Sequence, residues 1–221
     1  MRKIVALVSA LFPWPMRRRL LVALLGYEIH PTARIGWSWI CPEHLAMEAG
    51  ARIGSLTVCK GLSLLKMGEQ SYLGNLNWVS GYPVADKMHF GDEHARRAEL
   101  VIGDHASVTH RHLIDCTNSV RIGRFATFAG YRSQVLTHSI DLHCCRQASK
   151  PITIGEYCFV GTGSVMLGGS GLPDYSVLGA MSVLNKAYSE THWLYAGNPA
   201  RPVKALPREM LYFNRTAGFV K

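Results

Sequence analysis

Every sixth residue from Ile35 to Leu65 is apolar or a cysteine: Ile35, Cys41, Met47, Ile53, Cys59 and Leu65. The beat returns as Ile102, Val108 and Ile114, then runs unbroken through Ile154, Val160, Met166, Leu172, Leu178 and Leu184. Small residues follow many of these positions, among them Gly36, Gly54, Gly103, Gly155, Gly161 and Gly179. An α-helix repeats every 3.6 residues and a strand every two, so neither has six as its primary period. A period of six belongs to a β-helix, in which short strands and turns wind into stacked coils. The chain is therefore read as mainly β, one parallel β-helix solenoid.

The periodicity also divides the chain. Residues 1–28 read as a helical cap or membrane-surface segment, broken at Pro13 and Pro15, and residues 29–186 as the β-helix. The beat fails across residues 82–99 and again across 139–150, which are expected to be loops ejected from the coils. Residues 187–221 form a tail with a short helix around Pro207 to Asn214.

Hydrophobic residues make up 48% and charged residues 18%, so the chain folds rather than staying disordered. Its net charge of +9 favours polyanionic partners. The basic residues are dispersed, and no recognition helix, zinc finger or aromatic platform accompanies them, so nucleic acid is not the expected partner. None of the six cysteines forms a CxxC pair, which argues against a zinc knuckle or redox motif. Cys41 and Cys59 are expected to stack on one face of successive coils as small buried hydrophobes of a reducing cytosol.

The N-terminus holds two short apolar runs, Ile4 to Phe12 and Leu20 to Leu25, separated by prolines and by Arg17, Arg18 and Arg19. Neither is long enough to cross a bilayer. The expected role is a cap on the open end of the solenoid, with peripheral membrane contact through residues 1–25 and a cytoplasmic location; secretion is the least favoured reading.

The repeat IGEYCFVGTGSVML, the THSID segment around His138 and the terminal YAGNPARPVK together resemble the hexapeptide-repeat acyltransferases. These are left-handed parallel β-helix enzymes that move an acetyl or acyl group from a thioester carrier to a sugar. The resemblance covers roughly residues 30 to 206 and points to the maltose, galactoside and nodulation-factor branch. GYEIHPTARIG and RHLIDCT look like acetyltransferases of capsule and O-antigen synthesis. It implies acetyl-CoA as co-substrate, no metal, a homotrimer, and a sugar or lipid-linked saccharide acceptor in surface polysaccharide synthesis.

An alcohol attacks a thioester only as its proton is removed, and histidine titrates in the right range to remove it. The resemblance assigns that role to His138. Asp141 either orients His138, meets acceptor hydroxyls or caps the loop turn. His112 and Asp115 are expected to reach the same groove, with His110 pointing elsewhere, and Tyr131 and Arg132 to touch acceptor or pantetheine. The resemblance implies cofactor contacts at Gly161, Gly163, Ser164, Gly179, Ala180 and Ser182, small residues that coil corners also require. It sets Lys186, Arg201 and Lys204 against the phosphates of coenzyme A.

Two other readings share the fold. Gamma-class carbonic anhydrases hold zinc with three histidines, and His138, His143 and His105 offer a partial match. A non-catalytic β-helix scaffold is the other, although THSID together with GNPA has no use in a plain scaffold.

Overall fold

The computed structural model describes residues 1–85 and 87–220; Asp86, inside the first expected loop, and Lys221, the last residue of the expected tail, lie outside the described residues. Strands of two to four residues pair in parallel into three sheets that wind as a left-handed β-helix. The first face holds seven strands, from Glu28–Ile29 to Gly171–Leu172, and the third holds seven, from Trp39–Cys41 to Val183–Leu184. The second face begins at Arg34–Ile35 and has nine, because Trp193–Gly197 and Ala200–Ala205 extend it as an antiparallel hairpin.

The six-residue beat becomes columns of buried side chains. On the second face Ile35, Ile53, Leu73, Val108, Phe128, Val160, Leu178 and Tyr195 stack in register from the first coil to the last. Burying each such side chain stabilises the fold by about 1.5–3 kcal/mol, so the columns specify the register throughout. The first coil departs from the expected spacing. Ile40 points inward opposite Cys59, while Cys41 is half-buried opposite Lys60, so the two cysteines do not share a column. Cys59, Cys116 and Cys158 are buried, but Cys144 and Cys145 are exposed.

Two helices lie across the first coil, α1 (Arg2–Ser9) and α2 (Trp14–Leu25). Ala6, Leu21 and Leu25 join the core beside Tyr27. The arginines serve the coil's free edge. Buried Arg17 donates to the carbonyls of Gly36 at 2.6 Å and Ser38 at 2.7 Å, and Arg18 donates to Ile29. Ile4, Leu7 and Val8 of α1 and Leu11 just beyond it stay exposed, the last three beside Trp37 and Leu56.

Both interruptions leave at the corner between the third and first faces. The first carries the helical turn α3 (Lys87–Phe90) and ends where the strand Glu99–Ile102 begins, so Glu99 belongs to a coil. The second is an ordered antiparallel hairpin, His138–Asp141 with Arg146–Ser149, rather than a structureless loop.

The corner between the first and second faces carries a ladder that the sequence reading did not anticipate. The rings of His105, Phe125, Tyr157, Tyr175 and His192 stack with successive centroids 4.8, 4.7, 5.2 and 4.8 Å apart. The tail runs back along it. The expected short helix is a 3₁₀ turn at Leu211–Asn214, whose Phe213 packs against Tyr175 and His192. Arg215 then lies over Phe125 and Tyr157 and donates to the Phe125 carbonyl, and Gly218 abuts His105.

Candidate active site

Asp115 ends one third-face strand, and its register partner Leu136 leads directly into Thr137 and His138 on the next coil. That register brings Asp115 and His138 together. Oδ2 of Asp115 accepts from His138 Nδ1 at 2.8 Å, from the Thr137 amide at 2.8 Å and hydroxyl at 2.7 Å, and from the His138 amide at 3.1 Å. Oδ1 accepts from the Thr117 amide at 3.1 Å and hydroxyl at 2.6 Å.

Burial alone would push the Asp115 carboxyl up, but the bonds from His138, Thr117 and Thr137 outweigh it and hold the group below its ordinary range. An ionised carboxylate only accepts, so Nδ1 of His138 carries the proton and Nε2 presents its lone pair. The bond to Asp115 raises the His138 pKa, with burial opposing. Among the described residues Nε2 makes no hydrogen bond, and the ring is partly open to solvent. A partly exposed imidazole with one nitrogen fixed and the other free can remove a proton from a bound group.

The two insertions build a crevice beside this histidine. Tyr82 and Phe90 meet the His138 ring edge to face, at centroid distances of 5.7 and 6.2 Å. Arg96 anchors the first insertion to the coil: it donates to the carbonyls of Tyr82, Pro83 and Thr117, each at 2.7 Å, and lies over the Phe90 ring. Glu93 accepts from the Ser149 amide at 2.7 Å and from its hydroxyl, and Arg146 meets Asp92 at 2.7 Å, so loop and hairpin are joined. The resulting crevice, about 400 Å³, is bordered by His89, Phe90, Asp92, Glu93, Arg146 and Gln147. Arg96, Glu93, Tyr82 and Phe90 escaped the sequence reading because they sit in an aperiodic segment where no spacing marks them.

Other expected site residues lie elsewhere. Asp141 does not meet His138: its Oδ1 accepts from the His143 and Cys144 amides and caps the hairpin turn. His112 is buried and cannot touch an acceptor. Its Nδ1 accepts from the Ser133 amide, its Nε2 faces the Thr109 hydroxyl, and burial lowers its pKa to about 4. Tyr131 and Arg132 stand at the corner between the second and third faces, across the third face from His138. His110 stands there too, its ring against Tyr131.

Among the expected cofactor contacts, Gly161, Ser164 and Ser182 are buried at that same corner. Ser164 donates to the Gly161 and Gly179 carbonyls and Ser182 accepts from the Gly197 amide, so both hydroxyls are engaged in packing the coils. Gly163 and Ala180 remain accessible beside them. Lys186 and Arg201 come together in a cleft of about 150 Å³ with Asn185, Tyr188 and Pro199. Lys204 is exposed on the terminal hairpin, paired with Leu194, outside that cleft.

The three histidines of the zinc reading are dispersed within the chain. His105 stacks in the aromatic ladder, His143 sits in the hairpin turn, and His138 is bonded to Asp115. Among the described residues no three His, Cys, Asp or Glu side chains are grouped to hold a metal ion. No described helix is long and apolar enough to cross a membrane.

No protein-family model matches the sequence, and no curated protein does. Solved structures do match. The polysialic acid O-acetyltransferase OatWY aligns with TM-score 0.59 at 15% identity, over 81% of this chain and 84% of its own. A serine-to-alanine mutant of the N-acyltransferase AntD from Bacillus cereus, in complex with dTDP-4-amino-4,6-dideoxyglucose and coenzyme A, aligns with TM-score 0.55 at 13% identity, over 85% and 88%. The hexapeptide-repeat acetyltransferase VCA0836 from Vibrio cholerae aligns with TM-score 0.51 at 21% identity, over 64% and 74%. At these identities the likeness is one of fold, and the fold of this chain is the left-handed parallel β-helix of the hexapeptide-repeat acyltransferases.

Proposed function

We propose that this chain transfers an acetyl or other acyl group from coenzyme A to a hydroxyl, or an amine, of a saccharide, with His138 as general base. The observation that carries the reading is the Asp115–His138 pair, whose imidazole stands against Tyr82 and Phe90 of the first insertion, Phe90 also bordering the crevice between the two insertions. Nε2 of His138 takes the acceptor proton as the acceptor oxygen attacks the thioester carbonyl. The carbon–sulfur bond then breaks, and the imidazolium returns the proton to the departing thiolate. A backbone amide from a neighbouring copy would hold the intermediate oxyanion. AntD in complex with coenzyme A and OatWY as an acetyltransferase lend support by likeness of fold.

Acetyl-CoA is the expected donor, its phosphates met by Lys186 and Arg201, and no metal is required. The acceptor is a sugar or lipid-linked saccharide of surface polysaccharide synthesis. An exposed apolar stripe formed by Trp37, Leu56, Leu76, Trp78 and Leu113 follows the coil axis, which suits copies packed side by side in a trimer. The exposed side of α1 suits peripheral contact at the cytoplasmic face of a membrane, where a lipid-linked acceptor resides. The test is thioester release from acetyl-CoA against a panel of nucleotide sugars and lipid-linked saccharides. Release dependent on one acceptor and lost in His138→Ala is expected; acceptor-independent or His138-independent release would overturn the reading.

A further inference from the structure

The corner between the second and third faces changes character along the axis. At its left-handed position the coils place Leu56, Leu76, Arg111, Arg132, Gly163 and Met181 in turn. The corner thus begins apolar, turns basic on two consecutive coils, loses its side chain at Gly163 and ends on the exposed Met181. Arg132 donates its backbone amide to the Arg111 carbonyl at 3.1 Å, so the two residues are adjacent. Neighbouring strands lie about 4.8 Å apart, so two arginines on adjacent coils put two positive charges on one patch of surface, where an anion is attracted by both.

Neither guanidinium has such a partner in the chain. Among the described residues Arg111 and Arg132 form no side-chain hydrogen bond, and no carboxylate comes within 4.0 Å of either. Arg17, Arg18, Arg96, Arg121 and Arg146, by contrast, are bound to carbonyls or carboxylates. The local backbone differs as well. Five residues, 129–133, turn this corner on the Arg132 coil, against four, 109–112 and 161–164, on the coils to either side. The extra residue falls beside Tyr131 and Arg132, one coil before Gly163, where the missing side chain leaves room that the Met181 sulfur fills. The cleft so formed, about 660 Å³, is lined by Arg111, Tyr131, Arg132, Gln134, Thr162 and Gly163 among others, and no acidic residue lines it.

We propose that this cleft is an anion site that takes a diphosphate, the group shared by coenzyme A and by nucleotide-linked saccharides. A guanidinium binds phosphate oxygens through two parallel N–H donors, and two of them on adjacent coils match two linked phosphates. The exposed Tyr131 ring and the Gln134 amide stand beside them to receive the group the diphosphate carries. The site is separate from the Lys186–Arg201 cleft and does not depend on the acyl-transfer reading.

The test titrates inorganic pyrophosphate into the full chain carrying Lys186→Gln and Arg201→Gln, which silences the other basic cleft. Adding Arg111→Gln and Arg132→Gln is expected to weaken binding about tenfold or more, the loss of charge-assisted bonds to two phosphates. Adding Lys3→Gln and Arg19→Gln instead removes the same charge elsewhere and should leave affinity within roughly twofold. Unchanged thermal unfolding will show the variants folded. Equal affinity with and without Arg111 and Arg132 overturns the proposal, as does an equal loss in the remote-charge control. Repeating the titration with coenzyme A and with uridine diphosphate identifies the source: the ligand whose binding falls with the two arginines is the one the site serves.

Discussion

Nδ1 of His138 lies 2.8 Å from Oδ2 of Asp115, although the two residues belong to successive coils. The same carboxylate oxygen holds the Thr137 hydroxyl and two backbone amides, so the imidazole is oriented by a group that is itself immobilised. His138→Ala should therefore lower turnover by about 10²–10⁴-fold while leaving coenzyme A affinity near wild type, as measured by steady-state kinetics and direct titration.

Asp115→Asn separates orientation from proton transfer. Asp115 raises the His138 pKa, and the base acts only when neutral, so the rising limb of the pH–rate profile should lie above the ordinary histidine range. Removing the carboxylate should shift that limb to lower pH and reduce kcat by about 10². A purely structural loss would reduce the rate without moving the limb.

Lys186→Ala with Arg201→Ala should raise the KM for acetyl-CoA and leave acceptor KM unchanged. The difference from wild type should shrink as salt rises, because exposed charges are screened beyond about 8 Å at physiological ionic strength. An unchanged KM at low salt would assign the pair to surface solvation alone.

Arg17→Ala leaves the Gly36 and Ser38 carbonyls without their buried donor. Burial lowers the Arg17 pKa to about 10, so the group remains charged at neutral pH and both bonds are charge-assisted. A loss of roughly 3 kcal/mol is expected in chemical denaturation. Deleting residues 1–25 uncovers the same edge entirely and should give insoluble protein.

The buried His112 gives the fold an acid-sensitive window. Its folded pKa, about 4, lies below its unfolded value, so the unfolded state binds the extra proton first. Stability should fall as pH drops from about 6.5 towards 4, by up to about 3 kcal/mol. Denaturation of His112→Gln across that range should show a flatter dependence.

The coil architecture was legible because each inward position is constrained by neighbours above and below, which imposes the six-residue beat directly on the chain. Cys41 misled for a local reason. Ile40 and Cys41 are both apolar, and the step from Ile35 to Ile40, five residues against six from Ile53 to Cys59, shortens that corner by one residue without leaving a polar marker. Loss of the beat located the insertions but carried no information on the hairpin at His138–Asp141 or on the Arg96 anchor. Asp141 stood beside His138 in sequence, whereas Asp115 reaches it through the pairing of Asp115 with Leu136, a long-range register that spacing alone does not reveal.

A stack of coils in which each touches only its neighbours can come apart one rung at a time from either end. The tail prevents that here: Phe213 sits against the last rungs of the aromatic ladder, Arg215 against Phe125 and Tyr157, and Gly218 against His105. Peeling the final hairpin would pull this tether off coils far from it. The array is laced lengthwise as well as stacked, and its melting should be sharper than that of the same coils ended at residue 206.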